Sequence, residues 1–271
     1  VFCFVLFYVW ELEYKYPIID IRVFKDHNFL FGTIASSIIN VMLYSTLLLV
    51  PMFVQSLLGY SPSMSGLTMF PRAIVCFVGL IVVGEVSKYV ENRLLATIGF
   101  VIMAISLLML TQMNPTSSMS SVIIPNLLLC IGVPTAFVPI TALSFQTLPA
   151  SKNADAASLH ALFKNLVTAM ATSVSATFIA RVSQVYQNYF VGDLSPHNPM
   201  FQIRFAALKT KFLTYYPSVM AARKANGMLY KQLLRQARLG AFFDVFIVLA
   251  TMCLLIIPVV YILNSPKAKK G

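Results

Sequence analysis

Six long apolar runs decide which class of fold this chain can adopt. Each has about the 20 residues that a helix needs to cross a bilayer, whereas barrel strands alternate in segments of about ten residues. Apolar residues make up 58% of the sequence and charged residues 11%, well below the quarter or so that is charged in soluble domains. The sequence therefore predicts an all-α polytopic membrane protein, with spans at Leu30–Val54, Gly66–Gly84, Leu94–Gln112, Val122–Gln146, Ala156–Ala180 and Gly240–Leu263.

A shorter apolar run opens the chain. Val1–Trp10 has neither an initiator Met nor a basic segment, so it is not a signal peptide, and ten residues are too few to span. We interpret it as the end of a seventh, partial helix and expect the chain to be the C-terminal part of a longer protein. The predicted organisation is a truncated span with its linker (1–29), five spans (30–180), an extended loop (181–239), and a last span with a basic tail (240–271).

Lys and Arg in the connections predict the orientation. Short loops on one side carry basic residues, whereas the loops at 55–65 and 113–121 carry none, so the positive-inside rule places the basic loops and the C-terminus in the cytoplasm. The loop 181–239 then lies outside, and its apolar spacing predicts two basic amphipathic helices that either lie on the membrane or bind a partner. Membrane electrostatics explain the net charge of +11 better than nucleic-acid binding does.

The span Ala156–Ala180 carries the most informative polar residues. His160 and Lys164 are four residues apart and share one helical face. A lysine in mid-membrane costs about 2.5–3.5 kcal/mol on insertion scales, so it usually faces a bundle interior or a wet cavity; snorkelling to the cytoplasmic surface is the alternative. The predicted substrate cavity is lined by Asn40, Tyr44, Phe137, His160, Lys164 and Asn165.

Small residues recur along the same span. Ala169, Ser173 and Thr177 follow one another at helical spacing, a pattern that lets membrane helices approach closely. The span Val122–Gln146 contains three prolines, which indicate a helix that either flexes along a transport path or is passively bent.

Arg72 follows Pro71 less than two turns from the expected outer face. It either snorkels to the interface or points into the bundle as a candidate site for anionic groups. The four cysteines lie in apolar segments without CxxC spacing, so they indicate small buried side chains and no metal site.

Several motifs together resemble one known family. They are YPIIDIRVFKDHNF at 16–29, Gln55 with Leu58-Gly59-Tyr60-Ser61, Gly66-Leu67 before Pro71-Arg72, the loop Gly84–Arg93, Pro139 with Pro149, and Ala156-Ala157-Ser158. Over nearly its whole length the chain is similar to the C-terminal half of EmrB-type multidrug exporters, the fourteen-span drug:proton antiporters of the major facilitator superfamily.

The resemblance implies a function and an assembly. It implies proton-coupled export of lipophilic drugs across a bacterial inner membrane, with the proton gradient as energy source and no cofactor. It also implies a periplasmic adapter and an outer-membrane channel as partners, and a second half that supplies the coupling carboxylates.

The resemblance also assigns residue roles. Gly84, Lys88 and Arg93 would form a cytoplasmic gating loop, but Lys88 replaces the usual Asp and removes the carboxylate that pairs with Arg93. Lys164 stands where the family commonly has Arg, which keeps the charge and loses the bidentate geometry. Two other functions stay open: a non-transporting scaffold that binds partners through the loop 181–239, and a membrane-embedded transferase.

Overall fold

A computed structural model describes residues 21–114, 119–149, 152–192 and 198–263. A short 3₁₀ turn, Ile21–Lys25, precedes seven helices in this part of the chain: α1 His27–Ser56, α2 Pro62–Val86, α3 Asn92–Thr111, α4 Met119–Phe145, α5 Asn153–Val191, α6 Pro199–Leu213 and α7 Ser218–Ile262. All except α6 are long and apolar enough to cross a membrane, as predicted. The partial span expected at Val1–Trp10 and the tail after Leu263 lie outside the described residues.

Helix ends follow capping chemistry more closely than hydropathy. The Asp26 carboxylate accepts a hydrogen bond from the Phe29 backbone N–H at 2.9 Å, so α1 begins three residues before the predicted apolar run. The same carboxylate accepts a hydrogen bond from the Thr147 hydroxyl at 2.7 Å. Asp26 therefore ties the start of α1 to the turn that follows α4.

Two helices are much longer than the predicted spans. Helix α5 has 39 residues and α7 has 45, roughly 58 and 68 Å at 1.5 Å per residue, against a hydrocarbon core of about 30 Å. Both run without a break through the expected limits at 180 and 240. Most of the segment 181–239 is therefore helical, and its role as a separate unit stays a prediction.

Helices α1 and α4 lie at the centre of the bundle. Helix α1 packs against α2, α4, α5 and α7, and α4 packs against α1, α2 and α3. The short turn between α2 and α3 led us to expect that these two helices pack against each other. That expectation is wrong, because both pack mainly on α4 and have few contacts with one another.

The two ends of the bundle can be identified from contacts between helix termini. At one end, the Arg93 guanidinium at the start of α3 donates to the carbonyl of Leu263, just past α7. At the other end, the Arg235 guanidinium of α7 donates to the carbonyl of Leu57, just past α1. The order of the helices therefore agrees with alternate crossings of a membrane.

Candidate functional site

The contact between α1 and α5 includes a buried polar pair. The Ser36 hydroxyl lies 2.8 Å from His160 Nε2, and the imidazole is 7% exposed. The Asn40 amide donates to the Ser36 carbonyl at 2.7 Å, one turn further along α1. The His160 ring also meets the ring of Phe145 edge-on, with 5.7 Å between centroids. His160 is therefore held in place by α1 and α4, and Asn40 lies beside it.

Lys164 lies one helical turn beyond His160. It is roughly 16 Å along α5 from Asn153, and its side chain is half-buried. Its ammonium group makes no hydrogen bond and no ion pair with any residue that the structure describes. A cation at this depth without a carboxylate partner is costly unless water or a ligand reaches it.

The remaining predicted cavity residues are distributed over several surfaces. Tyr44 is 39% exposed, one turn beyond Asn40 on α1. Asn165 is exposed, and Phe137 is half-buried against the main apolar core. The structure therefore brings Asn40, His160 and Lys164 to one region between α1 and α5. It places Asn165 and Phe137 away from the polar contact.

An apolar cleft continues this face of α5. It begins three residues after Lys164, has a volume of about 320 Å³, and lies between α1, α5 and α7. This volume is in the range of small-molecule sites. The Ser45 and Ser175 hydroxyls form a 2.9 Å hydrogen bond beside it. The lining residues are Val41, Val167, Met170, Ala171, Val174, Ser175, Phe178, Val245, Val248, Leu249 and Met252.

Arg72 points into the bundle and does not snorkel. It is 4% exposed, and its guanidinium donates to Asn126 Oδ1 of α4 at 3.1 Å. It also donates to the Leu43 carbonyl and to the Thr46 hydroxyl of α1, both at 3.2 Å. Three neutral acceptors thus hold this cation. Its guanidinium joins α1, α2 and α4, and its candidate role as an anion site stays untested.

In the turn between α2 and α3, Arg93 forms no ion pair with any residue that the structure describes, as the replacement of the family's Asp by Lys88 predicted. Lys88 pairs with Glu85 at 2.8 Å, and both side chains are well exposed. Arg93 instead reaches the Leu263 carbonyl at the end of α7, where a cation stabilises the helix C-terminus. Gly84, expected to open the turn, lies inside α2, which continues to Val86. The gating role of these residues stays a prediction.

The small-residue ladder on α5 does not pack against another described helix. Ala169, Ser173 and Thr177 are exposed, whereas the buried stripe of α5 runs through Ala171, Ser175 and Ile179. Spacing alone could not tell which stripe is buried, because small residues occur on both.

Outside the apolar segments, α6 packs against α7, and the two helices line a common pocket through residues 200–204 and 229–236. The Tyr186 hydroxyl donates to the Asp244 carboxylate at 3.0 Å, and the Gln187 amide donates to the Tyr230 hydroxyl at 2.7 Å. The first bond joins α5 beyond Ala180 to the start of the apolar part of α7, and the second joins the projecting parts of both helices. Helices cover both predicted segments, as α6 and as the beginning of α7, and their amphipathic role stays a prediction.

Sequence reasoning missed the partners of the predicted residues. Ser36, Thr46, Asn126 and Ser175 supply the buried hydrogen bonds, yet none was singled out. Asn126 is the one amide side chain in α4, a signal that could have pointed to a partner for Arg72. Serines and threonines are too common in membrane helices to give such a signal.

Comparisons with known proteins identify the family of the chain. The Major Facilitator Superfamily profile matches residues 11–172. The fatty acid resistance protein FarB of Neisseria gonorrhoeae is 26% identical over 97% of this chain and 51% of its own length. The multidrug export protein EmrB of Escherichia coli K12 is 23% identical over 99% of this chain and 51% of its own length.

The fold is shared with a solved transporter. A bacterial homologue of the human lysosomal transporter Spinster, in an inward-facing and occupied conformation, superposes with a TM-score of 0.62 over 88% of this chain and 49% of that one, at 15% identity. The chain thus spans about half the length of each of these three proteins. The matched profile covers more than half of the chain, which therefore belongs to the major facilitator superfamily.

Proposed function

We propose that this chain acts as the C-terminal half of a proton-coupled exporter of lipophilic and amphipathic compounds. The observation that carries the proposal is the position of Lys164, half-buried without a described carboxylate partner, three residues before Val167, the first α5 residue that lines the 320 Å³ apolar cleft. An amphipathic compound needs an apolar surface for its body and a polar group for its head. The names of the relatives, which refer to multidrug export and fatty acid resistance, support the same class of substrate.

The exposed faces of α2 and α5 support a second half. In the most apolar 18 residues of each of these helices, 17% are buried, against 56% in α1 and α4. We infer that the second half covers part of α2 and α5, and that the transport path runs between the halves. The exposed ladder Ala169, Ser173 and Thr177 is suited to close contact there.

Proton coupling would depend on carboxylates from outside the described part of this chain. Four of the five acidic residues that the structure describes are at or near helix ends: Asp26, Glu85, Glu91 and Asp155. The fifth, Asp244, lies within α7, about one turn past Gly240, where the apolar run of that helix begins. We therefore propose that the second half supplies the coupling groups, and that His160 and Lys164 face the substrate.

Transport by proteoliposomes tests the proposal. The complete transporter, with both halves, is reconstituted, and an imposed proton gradient is expected to drive uptake or release of an amphipathic fluorescent compound. A proton ionophore should abolish the movement. Transport at the same rate with and without the proton gradient would refute proton coupling. A complete lack of transport of every amphipathic probe would favour the scaffold alternative.

We further propose that the segment 181–239 contacts a periplasmic adapter, which would hand substrate to an outer-membrane channel. This placement assumes a bacterial inner membrane with a cytoplasmic C-terminus. What supports it is the basic surface of α6 and the start of α7, which project from the bundle. Deletion of 199–235 is expected to abolish cross-linking to the adapter, and cross-linking that survives would exclude this segment as the main contact.

A further inference from the structure

A second cavity, separate from the apolar cleft, lies at the end of the bundle where α1 ends. Its volume is about 510 Å³. One wall is formed by residues 56–59, where the chain turns from α1 towards α2. The other wall is one face of α7, made by Lys231, Leu234, Arg235 and Arg238.

The basic residues of this cavity share one helical face. Lys231, Arg235 and Arg238 are spaced by four and three residues, so they line the same side of α7. The Arg235 guanidinium also donates to the Leu57 carbonyl, and this contact holds the two walls together. The cavity therefore presents three cationic side chains along one wall.

Lys231 and Arg238 form no ion pair with any residue that the structure describes. Residues 194–243 contain no Asp or Glu, and neither do residues 55–65. Cations at such close spacing repel one another, so an anion beside Lys231 and Arg238 gains the attraction of both. The cavity is thus electrostatically suited to a phosphate or carboxylate group.

The depth of the cavity indicates where such an anion comes from. The long apolar run of α7 begins at Gly240 and that of α1 ends at Val54, so the cavity lies just beyond the hydrocarbon layer. Leu58 and Leu234 add apolar surface to its walls. A group that binds here can keep its charge among the cations and its acyl chains in the bilayer.

We propose that this cavity binds the phosphate headgroup of an acidic phospholipid. The lipid would bridge α7 and the turn after α1, two elements that Arg235 alone joins through a described hydrogen bond at this point. The inference does not depend on the transported substrate, because the cavity is separate from the α1–α5 face.

Binding of phosphatidylglycerol tests the proposal. The full chain is reconstituted in phosphatidylcholine nanodiscs, and binding of a fluorescent phosphatidylglycerol is titrated. The double variant Lys231→Gln with Arg238→Gln is expected to bind about 25-fold more weakly, since each juxtamembrane cation contributes a factor of roughly five. The matched control, Lys211→Gln with Arg223→Gln, removes the same charge from exposed positions of the same segment and should bind within about twofold of the parent chain.

Further arms separate the explanations. Lys231→Arg keeps the charge and should bind as tightly as the parent chain. If the double variant fails to fold, the single variants Lys231→Gln and Arg238→Gln should each bind roughly fivefold more weakly. Equal weakening by the control pair would show that only overall charge matters and would overturn the proposal. Equal competition by millimolar inorganic phosphate in the neutral nanodiscs would overturn the assignment to lipid.

Discussion

At the scale of single residues, polar side chains inside the bundle join helices that would otherwise depend on van der Waals contact. Lipid tails are as apolar as the helices, so hydrophobic burial gives little drive to associate within the membrane. His160, Arg72 and their partners connect α1 to α5, α2 and α4 through hydrogen bonds. These contacts fix which faces of the helices meet.

The Ser36–His160 contact should show measurable coupling. In a double-mutant cycle of Ser36→Ala and His160→Phe, we expect a coupling energy of about 0.6–1.7 kcal/mol, the range of hydrogen bonds between membrane helices. The free energy of unfolding in mixed detergent is the measurement. The control cycle pairs Ser36→Ala with Thr111→Ala, which lies at the far end of α3, and should be additive.

The contribution of Asn126 to the free energy of unfolding should depend on the positive charge of Arg72. Asn126→Leu removes an acceptor from a buried cation, so we expect a loss of about 1.5–3 kcal/mol in the free energy of unfolding. In an Arg72→Met background the guanidinium is absent, and the same change should cost less than about 1 kcal/mol. Equal losses in both backgrounds would mean that Asn126 acts through packing alone.

At the scale of helices, a glycine allows α3 and α4 to approach closely. A Cβ added to Gly99 of α3 would lie 2.4 Å from the backbone nitrogen of Ala136 and 2.8 Å from its Cα. Backbone atoms cannot move aside as a flexible side chain can. The packing of α3 on α4 therefore requires glycine at this position.

Gly99→Ala is expected to lower the free energy of unfolding by about 1–3 kcal/mol through overpacking. The matched control is Gly66→Ala on α2, where an added Cβ would meet nothing within 4 Å. That variant should be neutral or slightly more stable, since alanine favours helix by up to about 1 kcal/mol. A Gly99→Ala variant as stable as the control would contradict the described contact between α3 and α4.

Hydropathy predicted the six crossing helices but not their full lengths or neighbours. Apolar runs report what lies in the bilayer, whereas helical hydrogen bonds continue into water, as in α5 beyond Ala180. A short turn makes α2 and α3 antiparallel but does not choose their packing partner. That choice depends on close contacts such as Gly79 against Pro134, which spacing along the chain does not reveal.

The candidate site was only partly predictable for a related reason. His160 and Lys164 stand out because charge and imidazole are rare in apolar helices. The orientation of the Arg72 side chain could not be predicted from the sequence, because an arginine can either extend to the membrane surface or be buried in the bundle. Its inward position follows from acceptors on two other helices, Asn126 and Thr46, which only the fold brings together.

At the scale of the whole molecule, the helices differ in how much of their apolar length is buried, and the proposed function follows from this difference. The least buried apolar segments belong to α2 and α5, and α5 also carries His160, Lys164 and one wall of the apolar cleft. A second helical half on these faces would enclose a path with an apolar wall and a cation. This arrangement is what export of amphipathic compounds requires.

The central claim is that Lys164 faces the transported compound, and efflux from cells tests it most directly. Lys164→Ala in the complete transporter is expected to lower the efflux rate of an amphipathic fluorescent compound by about 10-fold or more, the cost of one charge-assisted contact. Lys164→Arg keeps the charge and Lys25→Ala removes a lysine from the exposed turn before α1, so both should retain efflux within about threefold. Unchanged efflux in Lys164→Ala, at equal protein levels in the membrane, would contradict the claim.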